Sequence, residues 1–114
     1  MGLFDLFRRA RKPDLDDSVL IQLRKAGSDL SKPHEIEFFL YFPTEAIAEQ
    51  AASQIREADF EVTVKQAAKG SDWLCFATKK MVPELAALQK TRRDFTSLST
   101  SLGGEYDGWG TPVV

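Results

Sequence analysis

His34-Glu35-Ile36-Glu37-Phe38-Phe39-Leu40-Tyr41-Phe42 is the stretch that decides the fold. Ile36, Phe38, Leu40 and Phe42 fall at every second position, and Glu35, Glu37, Phe39 and Tyr41 fill the alternate ones. Successive side chains of a strand point to opposite faces, so this alternation predicts a strand with one face in a core. Pro43-Thr44 ends it, and Thr44 is a suitable cap for a helix over roughly 45–58. Ile47, Ala48, Ala51, Ala52 and Ile55 recur there at helical spacing and make a smooth packing face.

Towards the C-terminus, Phe60, Val62 and Val64 alternate with Glu61, Thr63 and Lys65, which predicts a second strand. Ala67 to Asp72 is turn-forming, and Trp73 to Thr78 supplies a third strand that completes a hairpin. Either Trp73, Cys75 and Ala77 or Leu74, Phe76 and Thr78 face inward, and periodicity does not choose between them. A long helix is predicted from about Val82 to Leu102, with Pro83 in its first turn and a stripe of Leu85, Leu88, Phe95, Leu98 and Leu102. Gly103-Gly104 can close that helix with a left-handed cap. Glu105 to Thr111 can add a last short strand.

Towards the N-terminus, residues 14–29 carry Asp14, Asp16 and Asp17 ahead of Val19, Leu20 and Leu23, the pattern of a helix that Gly27 stops. After this leading helix the order is βαββαβ. With right-handed crossovers the expected fold is an α+β, ferredoxin-like sandwich with an additional N-terminal helix, forming a single domain over residues 14–114.

Fifteen Lys and Arg against 17 Asp and Glu leave a net charge of −2, so nonspecific attraction to polyanions is not expected. A lone cysteine, Cys75, has no disulfide partner within the chain, which fits a reducing compartment. No apolar run approaches the length of a membrane span, and Asp5 and Arg8 interrupt the short apolar patch at the start, so no signal peptide is expected. A cytoplasmic location follows as the expectation. Residues 1–13 stand apart: Leu3, Phe4, Leu6 and Phe7 precede Arg8, Arg9, Arg11 and Lys12. This segment is either flexible or an amphipathic helix, docked on its own domain or in weak contact with a membrane surface.

The expected sandwich leaves one sheet face without helices, carrying Glu35, Glu37, Phe39 and Tyr41 beside Glu61, Thr63 and Lys65. Aromatics there resemble an RNA-stacking platform, but the acids lie where phosphates would pass, so direct nucleic-acid binding is not expected. A homodimer interface, or cover by the first helix, accounts for them more economically.

Catalytic signals are scarce. His34 starts a strand without a Cys, a second His or paired acids at ligand spacing, and Cys75 lies inside an apolar strand. No glycine loop precedes a helix to cradle a phosphate. No catalytic, metal or cofactor residues are therefore assigned. Gly103-Gly104-Glu105-Tyr106-Asp107-Gly108-Trp109-Gly110-Thr111 is the most unusual local sequence. Its aromatics are either interface anchors or core beneath the long helix. Tyr41, Tyr106, Asp107 and Trp109 are the candidate protein-binding residues.

The Gly-Glu-Tyr-Asp-Gly-Trp-Gly-Thr run, the Glu35-Ile36-Glu37 strand opening and Phe60-Glu61-Val62 after a helix resemble the RraB family, regulators of ribonuclease activity that inhibit ribonuclease E. The similarity covers roughly residues 15–112. It implies a ferredoxin-like, cytoplasmic, non-catalytic bacterial protein whose partner is ribonuclease E. At its end the chain departs from the family's founding branch, which carries an acidic tail where this sequence reads Thr111-Pro112-Val113-Val114. The competing expectation is a small-molecule-binding or sensor domain on the same fold.

Overall fold

The computed structural model describes residues 15–68 and 70–111. The expectations for residues 1–13, and for Asp14 in the first helix, lie outside the described residues. Among the described residues, three helices and four strands follow in the order α1 (Leu15–Lys25), β1 (His34–Phe42), α2 (Glu45–Glu57), β2 (Glu61–Gln66), β3 (Trp73–Met81), α3 (Leu85–Ser101) and β4 (Glu105–Gly110). The strands form one antiparallel sheet in the order β2-β3-β1-β4. The chain is thus α+β, with β3 and β1 as the inner strands of the sheet.

Burial along β1 follows the period of two. Ile36, Phe38 and Leu40 are fully buried and Phe42 nearly so, whereas Glu35 is exposed and Glu37, Phe39 and Tyr41 are half-buried. Opposite them α2 presents Ala48, Ala51, Ala52 and Ile55, and α3 presents Leu88 and Phe95. Phe38 and Phe95 meet edge to face at 5.5 Å, a favourable aromatic geometry. The alanines let the α2 backbone approach the sheet so closely that the Cys75 thiol donates to the Ala48 carbonyl at 3.1 Å. Thr44 caps α2, its hydroxyl accepting from the Ile47 N–H at 3.2 Å.

The antiparallel register decides which face of β3 is inward. Cys75 pairs with Leu40 and Ala77 with Phe38, so Trp73, Cys75 and Ala77 face the helices, and Leu74, Phe76 and Thr78 take the other side. The strand runs on to Met81, three residues beyond its expected end, because β1 continues opposite it as far as His34. The long helix starts later than expected. Glu84 occupies the extended cap position and Pro83 precedes it, outside the first turn.

Among the described residues α1 packs against α3 and sends Val19, Leu20 and Leu23 into the common core. Its chain reverses at Gly27, φ 90°, and the Ser28 N–H returns to the Leu23 carbonyl at 3.0 Å. The loop into β1 is pinned by His34, which is 1% exposed. Its Nδ1 lies 2.8 Å from the Lys32 carbonyl, which can only accept, so the proton sits on Nδ1. Nε2, 2.7 Å from Ser28 Oγ, then accepts from that hydroxyl in the neutral ring. Both ring nitrogens are engaged in holding a loop.

Candidate functional site

Helices α2 and α3 both pack on the face that carries Ile36, Phe38, Leu40 and Phe42. On the opposite face the register lines side chains up in rows. Thr63, Phe76 and Phe39 form one row, and Lys65, Leu74, Tyr41 and Glu105 form the next. Glu61, Thr78 and Glu37 form a third, with Lys80 and Glu35 beyond it. The centre is therefore aromatic and aliphatic, and its rim is mostly acidic. Phe39 and Phe76 pack with ring centroids 5.5 Å apart, and Lys65 Nζ lies 5.1 Å from the Phe76 ring centre. Leu74 lies outside the core cluster, yet it is only 8% exposed. No described helix covers this face.

The four candidate residues are placed in two environments. Tyr41 lies on the helix-free face, half-buried beside Leu74. Tyr106 and Trp109 belong to the core cluster, paired across the ladder with Leu40 and Phe38, and Trp109 has no exposed surface. Tyr106 packs against Phe95 of α3 with ring centroids 5.9 Å apart. Residues three apart share a face because the register slips between Phe38 and Leu40. Asp107 and Gly108 form this bulge, and Gly108 takes a φ of 97° that favours glycine. Asp107 is 3% exposed. Thr111 ties the end of β4 back to β1, its hydroxyl donating to the Glu35 carbonyl at 2.9 Å.

Two clefts border the face. One of about 320 Å³ lies between Tyr41, Phe42, Pro43, Asp72, Gly103, Gly104 and Glu105. The other, of about 420 Å³, is lined by Glu35, Asp59, Glu61, Thr78, Lys79 and Lys80. Both are open to solvent and the second is lined almost wholly by charged side chains, unlike the apolar enclosure of a typical small-molecule pocket.

The family model for RraB, Regulator of ribonuclease activity B, matches residues 14–111. The chain belongs to the RraB family. A search of curated proteins finds no match to this RraB chain.

Among the described residues of the RraB domain, no group of three or more His, Cys, Asp or Glu side chains is placed to hold a metal ion. None of its described helices is long and apolar enough to cross a membrane. Burial pushes the Cys75 thiol up to about 12, and the Glu49 charge adds to the effect. The group stays a thiol at neutral pH, the wrong state for a nucleophile. An aromatic disulfide reagent at pH 8 should therefore label Cys75 only as fast as the domain opens, and urea should accelerate labelling in step with unfolding. The linked pH effect has a definite sign. The unfolded thiol ionises near pH 9 and the folded one does not, so stability is unaffected below about pH 9 and falls as pH rises towards 12.

Phe76 and Leu74 were not singled out by the sequence, because either set of alternate β3 residues could have faced the helices. The pairing of Phe39 with Phe76 is what joins them to Tyr41 in one patch.

Proposed function

We propose that this RraB-family chain is a non-catalytic regulator that binds ribonuclease E through the helix-free face of its sheet and alters RNA processing. One observation carries the reading: Phe39, Tyr41, Leu74 and Phe76 form a contiguous aromatic and aliphatic centre inside a polar, mainly acidic rim. Interfaces commonly have this anatomy, with aromatic anchors at the centre and charge at the edge. The family description, a regulator of ribonuclease activity, supports a ribonuclease as the partner. The acidic rim opposes direct capture of RNA, so the effect on cleavage is exerted through the enzyme. The ferredoxin-like reading is supported by the βαββαβ succession after α1 and by the sheet order β2-β3-β1-β4.

Of Tyr41, Tyr106, Asp107 and Trp109, it is Tyr41 that lies on this surface. Tyr106, Asp107 and Trp109 support it from within by fixing β4 against β1. The test is a pulldown of ribonuclease E together with cleavage of a model RNA. Phe39→Ala and Phe76→Ala should each weaken binding about tenfold or more, as interface anchors do, with the melting temperature little changed. Purified ribonuclease E that neither binds the wild-type chain nor changes its cleavage pattern at micromolar concentrations would remove the proposal. Retention on single-stranded RNA at low salt, without enzyme, would replace it with direct RNA binding.

A further inference from the structure

We infer that the chain's own residues 1–13 dock on the helix-free sheet face and compete there with the protein partner. The face and the N-terminal segment match in chemistry. The face has an aromatic and aliphatic centre of Phe39, Tyr41, Leu74 and Phe76, and the residues placed on it by register include four acids, Glu35, Glu37, Glu61 and Glu105, against Lys65 and Lys80. The segment has apolar Leu3, Phe4, Leu6 and Phe7 followed by Arg8, Arg9, Arg11 and Lys12, against one acid, Asp5. Apolar residues can fill the centre while the bases meet the acidic rim, so hydrophobic burial and charge favour the same pose.

The path is short enough. α1, which the segment precedes, packs against α3, the helix that lies on β4 at the edge of the sheet. Fourteen residues precede Leu15 and reach about 46 Å when extended, against a molecule 22 Å across its thinnest dimension. Tethering makes the encounter intramolecular, at an effective concentration of about millimolar for a short linker, so even a weak contact is populated. A free membrane surface or a second copy of the chain would have to compete with that local supply.

The docking itself does not depend on the proposed function; its regulatory consequence rests on that reading. A segment that occupies the face nine-tenths of the time reduces partner affinity about tenfold. The test uses the full chain with Phe4→p-benzoyl-phenylalanine, irradiated over a range of protein concentrations and followed by peptide mapping. Cross-links within one chain to Phe39, Leu74 or Phe76 and their neighbours, at a yield independent of concentration, are expected. Added salt and Arg8→Glu with Arg9→Glu and Arg11→Glu should lower that yield. Cross-links only between two chains, only to the helix layer, or only when anionic vesicles are added would overturn the inference.

In the same charge-reversed full-length chain, ribonuclease E should bind about tenfold more tightly. Unchanged affinity beside a positive intramolecular cross-link would overturn the competition and leave the proposed function standing. No ribonuclease E binding by either chain would sink the proposed function, and the cross-link would still decide the docking.

Discussion

Trp109→Ala is expected to lower stability by about 3–5 kcal/mol, the usual loss when a buried aromatic is truncated in a close-packed core. Trp109 is fully buried, pairs with Phe38 across the β1–β4 ladder, and belongs to the cluster that includes Leu40, Leu88 and Phe95. Its removal leaves a cavity that the central strand cannot collapse into without abandoning its pairing with β3. A domain of this size has about 5–15 kcal/mol to lose, so the melting temperature should fall by roughly 15 °C or more. Urea denaturation followed by circular dichroism measures the change. Trp109→Phe, which keeps most of the volume, should cost much less. The opposite pattern, unchanged stability with lost binding of the proposed partner, would mean that Trp109 contacts that partner. Tyr41→Ala should behave the other way round, with a small stability loss and a larger loss of binding.

The contrast between Trp109 and Tyr41 shows what could be read from sequence and what could not. β1 was legible because Ile36, Phe38, Leu40 and Phe42 alternate without interruption, and only one face of such a strand can be buried. The same period fails in β4. Applied to Tyr106 and Trp109 it puts them on opposite faces, whereas the bulge at Asp107-Gly108 brings them to the same one. A glycine inside a strand pattern is a signal for a bulge, but it does not say which residue is added. β3 failed differently. Trp73, Cys75 and Ala77 are as apolar as Leu74, Phe76 and Thr78, so only its pairing with β1 could choose, and pairing is a long-range fact. The candidate face was therefore half legible, with Phe39 and Tyr41 visible and Phe76 and Leu74 hidden. His34 was readable as a residue without catalytic company, but its two hydrogen bonds to Ser28 and Lys32 depend on a loop conformation that no periodicity encodes. The start of α3 moved past Pro83 for a local reason: Glu84 stays extended at the cap, and the helix needs no proline in its first turn to begin.

Gly104→Ala is the second large effect, at about 3 kcal/mol, the upper part of the range for forcing atoms into packed space. A Cβ at Gly104 would meet the Tyr41 carbonyl oxygen and two ring carbons of Phe42. Neither can give way cheaply. The carbonyl belongs to the central strand, and the Phe42 side chain is 1% exposed within the core. The Gly104 N–H also closes α3 onto the Ser99 carbonyl at 2.8 Å, so the glycine cannot retreat without opening the helix end. Gly103, its neighbour, provides the control. It has a φ of 74° but open space where a Cβ would stand, so Gly103→Ala bears only left-handed backbone strain, about 1–2 kcal/mol. Parallel denaturation of the two variants should therefore rank Gly104→Ala as the more damaging. The reverse ranking would show that backbone conformation, and not close approach, is why this sequence needs glycines between α3 and β4. The functional consequence follows from position. Tyr41 stands at the end of the aromatic patch and its carbonyl is what a side chain at 104 would displace, so on the proposed reading whatever Gly104→Ala leaves folded should also bind ribonuclease E less tightly than Gly103→Ala does.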